Sequence, residues 1–183
     1  QSLPSSPINW IIGAFYLDAT AENDPIRLTG LSQGAGVFTN IYSQQETSSY
    51  AAFAQATFPM GDRTNLTAGV RYTNDEREMS GRVEQVSGVV MTRQDGFDAG
   101  QTTYRLAIDH KIGKDAMVYG SYNRGFKSGV YNLTAIATAP TKPEVLDAYE
   151  IGLKSEFADR RVRLNTSAFY YDTDTPRWLG HLT

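Results

Sequence analysis

From residue 64 to 73 the chain reads TNLTAGVRYT, with Leu66, Ala68, Val70 and Tyr72 on one side of a two-residue repeat and Thr67, Gly69, Arg71 and Thr73 on the other. Alternation of this kind marks a strand with two unlike faces. Residues 102–112 repeat it, with Tyr104, Leu106 and Ile108 opposite Arg105, Asp109 and Lys111. Residues 146–157 set Tyr149, Ile151, Leu153 and Phe157 against Glu150, Lys154 and Glu156, and residues 162–171 set Val162, Leu164, Ala168 and Tyr170 against Arg163, Asn165 and Ser167. In residues 50–58, Tyr50, Ala52, Ala54, Ala56 and Phe58 oppose Gln55 and Thr57. Residues 9–19 and 116–126 alternate less cleanly. These seven segments are about 10 residues each, the length a tilted strand needs to cross a bilayer.

The connections sort by length. Short turns are expected at 59–63, 112–115 and 158–161, and long polar loops at 20–49, 74–101 and 127–145. Short turns at one end and long loops at the other is the plan of an outer-membrane barrel. A strand extending above the membrane is expected within 82–92. Alternation alone does not say which face points outward, so a soluble β-sandwich acting as a binding module remains an alternative at this point.

Composition narrows the picture modestly. The 183 residues carry 20% charged residues and a net charge of −3, with scattered basic residues, which argues against a nucleic-acid partner. Mean hydropathy is −0.39, which a membrane barrel tolerates because only alternate residues of its strands meet lipid. Cysteine is absent, while Tyr (11) and Gly (16) are frequent, as strands and turns favour. Gln1 to Pro7 lack the basic and apolar regions of a signal peptide.

Three stretches carry a family resemblance. Tyr119 to Gly129 reads YGSYNRGFKSG, and Lys142 to Lys154 reads KPEVLDAYEIGLK. Residues 49–73 hold Phe53 and Gln55 in a Phe-x-Gln motif and then Ala68-Gly69-Val70-Arg71-Tyr72. Residues 159–171 read as the strand that follows. Together they closely resemble the barrel of TonB-dependent receptors over roughly residues 10–172. The resemblance implies an all-β, antiparallel up-and-down barrel segment of about seven or eight strands, within a larger transmembrane barrel that encloses a plug. On this reading residues 1–172 form a partial barrel domain, and residues 173–183 are a tail unlike the family.

The same resemblance implies an outer-membrane receptor of a Gram-negative bacterium. It would take up a scarce nutrient such as a ferric siderophore, haem, vitamin or sugar, using outer-membrane lipid as its solvent. The TonB energy complex would act through the plug, which lies outside this sequence. Two unpaired edges of a seven-stranded piece would invite self-association. Arg71, Arg124, Glu150 and Lys154 are expected on the lumen face, and with Lys127 they are the candidate ligand-binding residues. Trp10, Tyr16, Tyr50, Tyr72, Tyr104, Tyr170 and Tyr171 are expected as interface girdles.

No cofactor and no metal site is expected. A small barrel hydrolase of the esterase type is the enzymatic alternative, with His110 paired across strands to Ser121. There is no Gly-x-Ser-x-Gly elbow to support it.

Overall fold

The computed structural model describes residues 1–3, 6–30, 37–159 and 161–174. Seven antiparallel strands form one sheet in chain order, each paired with the next. They are β1 (Asn9–Thr29), β2 (Phe38–Met60), β3 (Thr64–Gln85), β4 (Gly88–Lys111), β5 (Ala116–Lys127), β6 (Glu144–Phe157) and β7 (Val162–Asp174). An uninterrupted meander of this kind is the wall of an up-and-down barrel.

The short turns fall where the sequence predicts them. Gly61 (φ 71°) turns β2 into β3 and Gly113 (φ 85°) turns β4 into β5, both in the left-handed region that a side chain resists. β6 turns into β7 through Ala158 and Asp159, with φ of 51° and 54°.

The predicted loops at 20–49 and 74–101 are corrected. β1 to β4 run 21, 23, 22 and 24 residues, twice the span of a bilayer, whereas β5 to β7 run 12, 14 and 13. The β3–β4 ladder continues unbroken to Arg82 and Thr92, shifts register once after Val83, and closes at Gln85 and Gly88. The extension expected at 82–92 is therefore much longer. Of the three predicted loops, only the one between β5 and β6 is a loop over most of its length.

Residues directly opposite in neighbouring strands share a face. One row runs Ile12, Ala54, Val70 and Tyr104, and the row beside it runs Ile11, Gln55, Gly69, Arg105 and Asn123 on the other face. The first face is apolar and uncovered, with Ile12 at 68% and Ile151 at 67% exposure. In water such a face would be unstable; in a barrel wall it meets lipid. Its upper border carries Tyr16 opposite Tyr50, then Tyr72 and Tyr104, and the tilted row Tyr122, Tyr149 and Tyr170 with ring centroids 5.1 and 6.3 Å apart. Tyr171, predicted in this girdle, points the other way and stacks on Phe169 at 4.9 Å.

The buried core lies above this band on the opposite, inner face. Ile41, Met79, Phe97 and Ala99 of β2 to β4 pack with Tyr131 and Ile136 of the β5–β6 loop.

Candidate functional site

The β5–β6 loop, residues 128–143, is a strap folded across the inner face of the long strands. It first closes on itself. The Thr141 amide donates to the Val130 carbonyl at 2.9 Å, and the Val130 amide to Thr141 Oγ1 at 2.9 Å. Asn132 Oδ1 accepts from the Thr134 amide at 3.0 Å, the local turn that Asn favours. Gly129 has no room for a side chain, since a Cβ would sit 2.2 Å from the Thr141 carbonyl.

Polar side chains of three strands then hold the strap by its backbone. Ser43 Oγ and Asn23 Nδ2 donate to the Leu133 carbonyl at 2.7 and 3.2 Å. Gln45 Oε1 accepts from the Tyr131 amide at 3.1 Å, and Arg93 Nη1 donates to the carbonyls of Ile136 and Thr138 at 2.8 and 2.6 Å. Such bonds satisfy backbone groups that the strap would otherwise bury unpaired. Arg93 is itself ion-paired with Asp95.

Where the strap meets the sheet, Arg77 Nε of β3 and Ser128 Oγ and the Tyr131 hydroxyl of the strap are shut off from solvent, and none makes a hydrogen bond of good geometry. Burial pushes the Tyr131 phenol up to about 12, and the nearby Asp95 carboxylate adds to the effect.

Lower on the inner face the wall is polar. Arg71 Nε donates to Thr73 Oγ1 at 2.9 Å, and its guanidinium lies 5.7 and 5.9 Å from the rings of Phe15 and Phe53. Arg105 donates to Asn123 Oδ1 at 2.8 Å. Tyr119 donates to Glu150 at 2.5 Å, and Lys154 sits 5.4 Å from the Tyr119 ring. Arg71, Glu150 and Lys154 thus occupy the inner face, as the sequence predicts.

Arg124 does not. The pairing of Leu106 with Tyr122, and of Arg124 with Asp147, puts Arg124 on the outer face with the tyrosines. There it makes a two-bond fork with Asp147, at 2.8 and 2.6 Å, beside the Tyr122 hydroxyl at 2.7 Å from the same carboxylate. Its place at the girdle, where an apolar face meets water, explains how a charge fits there. Lys127 is largely exposed at the foot of the strap, 3.8 Å from Glu144.

The hydrolase pairing is also corrected. His110 lies opposite Val118 and Ser121 opposite Ala107, so the two side chains leave the sheet on opposite faces. His110 Nδ1 is 2.9 Å from Thr64 Oγ1, and Asp109 accepts from Asn65.

The strap anchors Asn23, Ser43, Gln45 and Arg93 escape sequence reasoning, which places them in loops. The signal that finds them is a change of phase. Above Tyr72 and Tyr50 the apolar residues of the strands move to the opposite parity, to Met79, Phe97 and Ile41.

Comparison with known proteins agrees with this geometry. Residues 4–175 match the family described as TonB dependent receptor-like, beta-barrel. The family match therefore passes position 172, and β7 contains Thr173 and Asp174. Residues 175–183 of the predicted tail lie outside the described residues. The pesticin receptors of Yersinia enterocolitica and Yersinia pestis are 28% identical over 135 residues, which is 72% of this chain. The chain spans 19% of the length of these curated relatives.

The crystal structure of the ferric yersiniabactin uptake receptor of Yersinia pestis is similar with a TM-score of 0.59 at 21% identity, over 93% of this chain and 30% of that one. The alcaligin outer membrane receptor of Bordetella pertussis gives a TM-score of 0.56 at 14% identity, over 91% and 30%. At these identities the likeness shows the fold.

Proposed function

Because this chain belongs to the TonB-dependent receptor β-barrel family, we propose that it forms part of the wall of an energy-coupled transporter that imports a ferric siderophore. The protein resides in the outer membrane of a Gram-negative bacterium. The observation that carries the proposal is the family match along nearly the whole chain, together with strands whose outer face is apolar at one height and polar above it. The iron-complex class comes from the relatives: one is a ferric yersiniabactin uptake receptor.

In this reading the strap and the upper inner wall contribute to the mouth through which the complex enters, since binding residues sit on loops held by a rigid scaffold. Energy arrives through the TonB complex acting on the domain inside the barrel. Edges β1 and β7 pair with further strands of the same barrel, and only an isolated segment would pair with copies of itself.

Uptake of radioiron by cells lacking and re-expressing the whole receptor tests the proposal, with ferric yersiniabactin and ferric alcaligin as the first ligands. Restored uptake of a ferric chelate is the expected result. Unchanged uptake across a panel of ferric siderophores, with the receptor present in the outer membrane, would sink it.

A further inference from the structure

Above the tyrosine border β4 has one side without a neighbouring strand. Its ladder with β5 begins at Arg105 and Asn123, yet β4 itself extends to Gly88. β5 ends at Lys127 and the chain enters the strap, so no strand of the sheet stands beside residues 92–102 of β4. This edge differs from those of β1 and β7, whose neighbours lie outside this sequence.

The phase of the backbone shows which groups are open. The Lys111 amide donates to the Arg63 carbonyl on the β3 side, and the Ile112 amide to the Ala116 carbonyl on the β5 side. In an antiparallel sheet these directions alternate from residue to residue. The register with β3 is unbroken from His110 to Met91, so Thr92, Gln94, Gly96, Asp98, Gly100 and Thr102 turn their backbone polar groups to the empty side. The Gly96 amide is satisfied by Asp95 Oδ1, and the Thr102 carbonyl by Gln101 Nε2. Among the described residues, no other segment hydrogen-bonds to the outward backbone of Thr92, Gln94, Asp98 or Gly100. The strap leaves this edge open because it is held by side chains of the inner face.

An open edge is a template for another strand, and proteins often blunt such edges with Lys or Pro. Neither occurs between Val89 and Thr103. Arg93 and Asp95 point inward and are engaged with the strap and with each other. The outer face beside the edge is acidic. Glu76 stands opposite Asp98, and Glu46 opposite Glu78, and like charges so placed repel. Arg82 on the same face is paired with Glu84. A second copy of this edge would bring more carboxylates, whereas a basic strand would relieve the repulsion. Gly96 lies opposite Glu78, so a long side chain on an added strand has a clear path across it.

We propose that the β4 edge from Thr92 to Gly100 is a docking site for another protein, which adds an antiparallel strand with Lys or Arg at alternate positions. Backbone hydrogen bonds hold the strand, and its basic side chains reach Asp98 and, across Gly96, Glu78. The assignment rests on the functional reading above only in placing the upper strands outside the cell.

The test uses the whole receptor that carries this segment, in detergent, with a labelled peptide of about nine alternating Thr and Lys residues, the length of the edge. Site-resolved hydrogen exchange of the free receptor should show fast amides at Thr92, Gln94 and Asp98. The peptide should bind, read by fluorescence anisotropy, and slow those amides. In an antiparallel pair the outward-facing Lys residues make the backbone bonds. Methylating the Lys amides should therefore weaken binding about tenfold or more, and methylating the Thr amides should not. Gln94→Pro removes an amide that the β3 ladder does not use, so it should weaken binding with the melting temperature unchanged. A Thr–Glu peptide should not bind. Equal binding of the two methylated peptides would reduce the contact to charge alone and overturn the proposal. So would a peptide that fails to slow these amides, or amides already slow in the free receptor, since the receptor would then cover its own edge. A receptor that passes these tests but imports no iron loses the transport reading and keeps this site.

Discussion

The lower and upper halves of β2, β3 and β4 use the same alternation to opposite ends. Below the tyrosines, Leu66, Ala68, Val70, Leu106 and Ile108 point outward, while Thr67, Gly69, Thr103 and Arg105 point inward. Above them Glu76, Glu78, Ser80 and Asp98 point outward, while Met79, Phe97 and Ala99 point inward and are buried. The strands do not break between the halves. What changes is the solvent on the outer side, from hydrocarbon to water. An apolar face goes wherever it leaves water: into lipid below, and under the strap above. The tyrosines mark the crossover because each has an apolar ring and a polar tip.

The largest expected effect comes from breaking the upper half. Met79 is 1% exposed and touches strap and sheet. Met79→Ala should cost about 2–5 kcal/mol, the range for truncating a buried Met or Leu. The loss should be local, seen as faster amide exchange over residues 128–143 with the lower strands still protected. Equal loosening of both halves would mean that they form one cooperative unit. The outward neighbour Glu78 gives the control, since Glu78→Leu faces water on an exposed strand and should change stability by no more than about 0.5 kcal/mol.

The lower half should respond in the reverse sense. Leu106 points outward in the apolar band at 50% exposure, so a charge there must enter lipid. Leu106→Arg should cost about 2–4 kcal/mol when the whole receptor is folded into phospholipid vesicles and titrated with urea. Asp98→Arg, outward on the same strand but above the girdle, should be nearly neutral. If the two substitutions cost the same, the boundary drawn at the tyrosines is wrong.

This inversion also decides how much was legible in the sequence. All seven strands and all three short turns can be read there, because in 64–73 and 102–112 the apolar residues keep one parity for the full width of a membrane. From Thr73 to Glu78 six polar residues occur in a row, and beyond them the apolar residues resume on the other parity at Met79. A period-two reading takes such a slip as the end of a strand, which is why 74–101 reads as a loop although its backbone pairing never stops. Arg124 was misplaced for a related reason. Tyr119, Ser121 and Asn123 share one face, and Val118, Gly120, Tyr122 and Arg124 the other, so both faces of β5 mix polar and apolar groups. Only the register with β4 separates them. The strap's anchors could not be read at all, since they join residues as far apart in the chain as Asn23 and Leu133.

The smallest effect is at Tyr131, where the upper half can be probed by pH alone. Its hydroxyl is buried without a well-formed hydrogen bond, and burial raises its pKa from the usual 10.0 to about 12. A raised pKa on an acid means that folding favours the neutral form, so this stabilisation is complete below pH 10 and is lost as pH rises from 10 toward 12. The strap should therefore loosen in that window, with amide exchange over 128–143, corrected for its base catalysis, rising faster than exchange in β5 to β7. Tyr131→Phe keeps the ring against Phe97, whose centroid lies 5.4 Å away, and removes the ionising group. At neutral pH it should be neutral or slightly stabilising, by less than about 1 kcal/mol, because no partner is left unpaired. Above pH 10 it should abolish the strap-specific loosening. A Phe variant that loosens between pH 10 and 12 as the wild type does would show that the transition belongs to other groups.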